Sequence, residues 1–186
     1  MRNVLIVLTA LFVLSSCNIF TVRESDNPGA AAPWNDFATT WELALQNLEY
    51  CYEDSRNAVH YTGIFRGDYR FHFAPQDVSD YAITPNWTRV EEQDMIQLLH
   101  SRYEKMQVEL GTVEQMDIIS SNDVILYRTY ALSGNLRNQK GSRLDMASGN
   151  LELHLKKEYG YWYIDKWYDY RGSSGSSWGK LKHENY

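Results

Sequence analysis

The chain has only two cysteines, Cys17 and Cys51, too few for a disulfide framework once one of them is used elsewhere. Basic charge is also short. Against 24 Asp and Glu there are 18 Lys and Arg, giving a formal net charge of −6. That balance lacks the electrostatic footprint of a nucleic-acid-binding protein, so no nucleic-acid partner is expected. The apolar run at residues 4–14 falls short of the about 20 residues that a membrane-crossing helix needs. The five histidines, His60, His72, His100, His154 and His183, form no HExxH, HxH or His/Cys cluster, so no metal site is expected. No GxSxG, P-loop or dinucleotide glycine fingerprint occurs. This removes the main support for nucleophile-elbow hydrolases, kinases and Rossmann enzymes, and no cofactor is expected. Asn86-Trp87-Thr88 matches a glycosylation triplet, but Thr88 reads better as a helix cap.

What the chain does have begins at its N-terminus. Arg2 precedes the apolar run, and Leu14-Ser15-Ser16-Cys17 closes it. A branched apolar residue, two small residues and a cysteine form a lipobox. Small side chains let a peptidase grip the extended backbone, and the cysteine thiolate carries the lipid. Residues 1–16 therefore read as a lipoprotein signal peptide, and Cys17 as the lipid-bearing residue that anchors the chain to a membrane. Asn18 follows where Asp would favour inner-membrane retention. The expected location is the cell envelope: the outer membrane, facing the periplasm, where the organism has one. Residues 17–34 read as a tether, aperiodic and ending at Pro33. With the Cys17 sulfur consumed, Cys51 stands alone. It reads as a small buried residue on a helix, with a reactive or intermolecular thiol as the alternative.

Residues 35–186 read as a single domain. Aromatics make up 14% of the chain, with 14 Tyr and 6 Trp, which suits a packed β-sheet. A helix is predicted from Thr39, with Thr39 and Glu42 as a capping box and Trp41, Leu45, Leu48 and Tyr52 on one face. A short helix over 57–64, a strand over 70–73 stopped by Pro75, and a loop over 77–86 follow. Thr88 and Glu91 form a second capping box, opening a helix to about Tyr103. Strands are predicted over 108–119, 124–136, 144–158 and 161–170, separated by turn residues. Leu151, Leu153 and Leu155 alternate with Glu152, His154 and Lys156, the pattern of an antiparallel strand buried on one face. In the last strand Trp162 and Ile164 share one parity and Trp167 and Asp169 the other. A bulge near Asp165-Lys166 would put all four on one face. Residues 172–186 hold a Gly/Ser linker and then Trp178 and Leu181, a tail expected to dock.

Helices followed by long antiparallel strands make an α+β order. With Trp162-x-Ile164-x-x-Trp167-x-Asp169 on the closing strand, Trp87-Thr88-Arg89 before the third helix and Trp178-Gly179-x-Leu181-Lys182 at the end, the chain resembles nuclear transport factor 2-like bacterial lipoproteins with no assigned activity. The resemblance implies N-terminal helices packed in a strongly curved antiparallel sheet, a cone that often encloses a pocket. It implies a non-catalytic binding or accessory module at the envelope, partnered by a second copy or another envelope protein. Two alternatives stand beside it: a small-molecule pocket protein, and a structural component of envelope assembly. In the pocket reading, an isomerase or lyase would use Asp169 with His72 or His154 at the cone mouth as proton-transfer groups, a Tyr hydroxyl steadying an oxyanion. Trp162 and Trp167 are then the ligand-binding candidates.

Overall fold

The computed structural model describes residues 30–139, 141, 143–173 and 175–186. The expected signal peptide, the expected lipobox with Cys17 and most of the expected tether lie outside the described residues. The compact unit is Ala32–Tyr186. In chain order its elements are helix α1 (Trp41–Glu53), a 3-10 segment (Ser55–Ile64), strand β1 (Phe65–His72), helix α2 (Pro75–Tyr81), β2 (Asn86–Trp87), α3 (Arg89–Arg102), β3 (Tyr103–Thr112), β4 (Ile118–Ile119), β5 (Asp123–Leu136), β6 (Leu144–Glu158), β7 (Tyr161–Arg171) and α4 (Trp178–Glu184). No described helix is long and apolar enough to cross a membrane.

The helix ends follow local chemistry. The Thr88 hydroxyl accepts from Val90 N–H at 3.3 Å, and Glu91 accepts from Thr88 N–H at 2.9 Å. This is the expected capping box, closing the start of α3. At α1 the cap is Thr40, not Thr39, with its hydroxyl 3.4 Å from Leu43 N–H. Position N3 is then Leu43, so no reciprocal box forms. The buried face of α1 runs through Ala44, Leu48 and Cys51, leaving Trp41 half-buried. The expected loop over 77–86 holds a helix instead, because Pro75 both stops a strand and suits the first turn of a helix. The strand expected over 70–73 starts earlier, at Phe65. That expected over 108–119 begins directly after α3 at Tyr103 and breaks after Thr112.

The seven strands form one curved sheet in the order β2-β1-β7-β6-β5-β3, with β4 also on β5. Most pairs are antiparallel, as expected, and β1 and β7 add one parallel pair. The chain leaves β1, passes through every other strand, and returns beside it running the same way. The hairpin between β6 and β7 turns on Tyr159 and Gly160, both at positive φ (51° and 90°). Such a two-residue turn matches the right-handed twist of the strands it joins. Lys166 pairs with His154 and Ile164 with Leu155, so Asp165 is the extra residue of a bulge. Trp162, Ile164, Trp167 and Asp169 are accordingly all buried, and Asp165 is paired with Arg66 at 2.5 Å.

Helices α1, α3 and α4 lie against the inner face of the sheet. The His100 ring bonds the Cys51 carbonyl at 2.8 Å and ties α3 to α1. Leu151, Leu153 and Leu155 all face this core. Leu153→Ala is expected to cost about 2–5 kcal/mol in urea unfolding, for lost transfer energy plus a cavity. Leu98→Ala, at a position 40% exposed, is expected to cost under about 1 kcal/mol.

Candidate functional site

The concave side of the sheet is occupied by the chain's own C-terminal segment. Gly172, Ser173, Gly175 and Ser176 lead into α4, capped by the Ser177 hydroxyl, which accepts from Lys180 N–H at 2.9 Å. Trp178 is fully buried, edge-on to Trp167 (4.5 Å between ring centres) and to Tyr52 (5.1 Å). The residue after it has to be small. A Cβ on Gly179 would sit 2.8 Å from Phe73 Cδ1 and 3.0 Å from Asp169 Oδ2. This close approach accounts for the Trp178-Gly179 pair.

Two polar clusters hold the segment. In the first, Asp169 accepts from the Tyr130 hydroxyl (2.7 Å) and from Gly179 N–H (2.7 Å), and Tyr130 in turn accepts from Trp178 N–H (2.8 Å). Burial raises the Asp169 carboxyl from its ordinary value to about 6, opposed by these donors. The second cluster centres on Glu92, from the first turn of α3. It accepts from Tyr61 (2.9 Å), Tyr69 (3.0 Å) and the Lys182 ammonium (2.5 Å). Tyr61 has a single hydroxyl hydrogen and gives it to the Glu92 carboxylate, so Tyr52 must be the donor to Tyr61. Trp178 Nε1 donates to the Tyr52 hydroxyl (2.9 Å), Tyr52 to Tyr61 (3.1 Å), and Tyr61 to Glu92. Lys182 Nζ also lies 3.9 Å from the centre of the Phe71 ring and 4.1 Å from that of Trp167. Burial pulls its pKa down to about 8, against the pull of Glu92. Burial and the Glu92 charge hold the Tyr61 and Tyr69 hydroxyls well above their ordinary value.

The three proton-transfer candidates do not meet. Asp169 faces the interior, while His72 and His154 lie on the outer face, because neighbouring positions on a strand point to opposite sides. The residue next to Asp169, Tyr168, stacks on His72 at 4.3 Å and lies 5.4 Å from His154. The pairing of Asp169 with either histidine is therefore corrected: the sheet stands between them. His154 instead bonds Glu152 at 2.5 Å. His72, lowered by burial and by Lys166 and Arg70 nearby, sits in a cross-strand row of Tyr127, Glu152, Tyr168 and His72. Beside this row a shallow cleft of about 490 Å³ runs past Tyr127, Arg128, Asn150, Glu152 and Tyr170.

Of the two ligand-binding candidates, Trp167 is sealed beneath Lys182, and its indole N–H has no hydrogen-bond partner among the described residues. Trp162 lines a cleft of about 220 Å³ with Trp34, Phe37 and Tyr161, smaller than the roughly 300–1,000 Å³ of drug-sized ligand sites. Trp34, at the end of the expected tether, stacks on His60 at 4.7 Å. Cys51 is fully buried, and burial pushes its thiol up to about 12, the profile of an inert packing residue. Among the described residues no three His, Cys, Asp or Glu side chains are grouped to hold a metal ion. Glu92, Lys182, Tyr61, Tyr69 and Tyr130 were not singled out by the sequence. The one hint was a lysine placed among Trp178, Gly179 and Leu181 in a tail expected to be buried.

No family model and no curated protein matches the sequence. Solved structures do match in shape. A candidate aromatic ring hydroxylase from Novosphingobium aromaticivorans superposes with TM-score 0.57 at 9% identity, over 76% of this chain and 93% of that one. A candidate scytalone dehydratase from the same organism gives 0.54 at 12%, over 75% and 91%. A nuclear transport factor 2-like superfamily protein from Salmonella enterica gives 0.50 at 12%, over 71% and 89%. The fold is that of the nuclear transport factor 2-like superfamily. Ligand-binding and catalytic proteins share this cone, so at these identities the likeness speaks for the fold and not for a chemistry.

The Asp169 shift carries a sign. A carboxyl raised from 3.8 to about 6 on folding favours the folded state while protonated and loses that contribution as pH rises from about 4 through 6. Measured by urea unfolding at pH 4 and pH 7, Asp169→Asn should remove a fall of up to about 3 kcal/mol from the wild-type profile. Equal pH dependence in the two proteins would mean that Asp169 titrates normally.

Proposed function

We propose that this is a lipid-anchored protein of the cell envelope that acts as a non-catalytic binding or accessory module, meeting its partner on the outer face of the sheet. The observation that carries the reading is the filled cone. Trp178 and Lys182 take the space in which a substrate would sit, and both oxygens of Asp169 already accept hydrogen bonds. Binding is thereby directed to the outside, where Tyr127, Tyr168, His72 and His154 offer half-buried rings, and Tyr170 an exposed one, around Glu152. Tyr and His on an outer sheet face combine apolar area with polar edges, a composition suited to protein recognition. The anchor rests on the Leu14-Ser15-Ser16-Cys17 pattern.

A second reading, a small-molecule pocket protein with isomerase or lyase chemistry, is favoured by one observation. Asp169 is a buried carboxyl raised toward neutrality, inside a fold shared with a candidate dehydratase. It requires the tail to leave.

Two measurements test the first reading together. Cys17→Ser should move the protein from the membrane fraction to the soluble one; an unchanged partition removes the anchor. A photo-crosslinking residue at Tyr168 should capture a protein in intact cells, and one at the exposed Val59 should not. Capture at neither position, with a small molecule retained in native mass spectrometry, would transfer the case to the pocket reading.

A further inference from the structure

The way Lys182 is held has the form of a recognition site rather than of a core contact. Its ammonium meets one carboxylate and two aromatic faces: Glu92 at 2.5 Å, Phe71 at 3.9 Å and Trp167 at 4.1 Å. A cation enclosed by ring faces and a carboxylate is the arrangement by which proteins bind amines. None of these groups belongs to the tail. Glu92 comes from α3, Phe71 from β1 and Trp167 from β7. The carboxylate is also aimed without Lys182, because Tyr61 and Tyr69 donate to its two oxygens. The tail enters on a segment containing Gly172, Gly175 (φ +95°) and several serines, and its backbone is met by ready acceptors: Tyr130 for Trp178 N–H, and Asp169 for Gly179 N–H. The indole N–H of Trp167 has no hydrogen-bond partner among the described residues.

We propose that the interior of the cone is a binding site for a primary alkylammonium group, and that Lys182 is its intramolecular occupant. The site takes an unbranched aliphatic amine: the ammonium against Glu92 between Phe71 and Trp167, and the chain along the slot now filled by the lysine methylenes. Such a ligand binds only the form in which the tail has withdrawn. The site is therefore self-closed, and an amine and the tail compete for it. This goes beyond the outer-face reading and does not depend on it.

The test uses the full chain carrying Lys182→Ala. That change leaves a slot matching n-propylammonium, which has the three carbons and the ammonium removed. The variant should unfold at a lower temperature than wild type. n-Propylammonium chloride should restore several degrees saturably, while 1-propanol, of the same length but uncharged, and sodium chloride of equal ionic strength should not. Equal rescue by propanol would mean simple cavity filling and overturn the proposal, as would no rescue at all.

A second measurement on wild type stands independently should the variant not fold. Hydrogen exchange at Trp178 and Gly179 N–H passes through the withdrawn form. An amine that captures that form should speed it by about tenfold at about nine times its dissociation constant, with sodium chloride without effect. Exchange unchanged by the amine overturns the proposal.

Discussion

Lys182 and Glu92 are both fully removed from water, and each tolerates that only because of the other. Either charge alone in this interior would be strongly disfavoured, whereas the pair, with two tyrosine hydroxyls and two ring faces around it, has every strong demand met. The architecture above it follows. Glu92 must point inward, so α3 presents its first turn to the core. Lys182 must reach it, so the tail crosses the mouth of the sheet, and Trp178 and Gly179 are fitted closely enough that their N–H groups become ligands of Tyr130 and Asp169. A buried ion pair is weak evidence for stability. Its usual service is to select one arrangement among several, and here the arrangement selected is the docked tail.

The parts legible in the sequence are those whose cause is local. Thr88 and Glu91 are three residues apart, and their box forms as read. Leu151, Leu153 and Leu155 carry their burial in their alternation. The Asp165 bulge could be inferred because two tryptophans, an isoleucine and an aspartate could not otherwise share a face. Trp178 and Leu181 marked the tail as a docking segment. Other features needed information from far along the chain. Pro75 is read equally well as the end of a strand or the start of a helix, and the difference lies in what packs over α2. The parallel pairing of β1 with β7 joins segments whose separation no periodicity encodes. Glu92 and Lys182, at |i−j| = 90, have nothing in their spacing to connect them.

The candidate site was half legible for the same reason. Parity with Trp167, together with the bulge, put Asp169 inside. Parity could not show that Tyr130 and Gly179 would take both its oxygens, nor that His72 would be carried to the opposite face by pairing with Tyr168. The histidines were set beside Asp169 as chemical types, whereas the sheet arranges residues by side. The outcome is a protein with two distinct surfaces: an interior committed to its own tail, and an outer row of Tyr127, Glu152, Tyr168 and His72 built from four different strands.

Trp178 and Leu181 come later in the chain than any other buried apolar residue described. Synthesis runs from the N-terminus, so every strand of the sheet can be made while its mouth is still open and the Glu92 carboxylate faces an interior with no cation. The docked segment around Trp178 and Leu181 is thus the part that closes the interior after the strands are made. A chain cut short by proteolysis near the Gly/Ser segment would keep every strand and yet expose a wall of tryptophan and phenylalanine, which is the surface that quality-control proteases and chaperones read as unfinished.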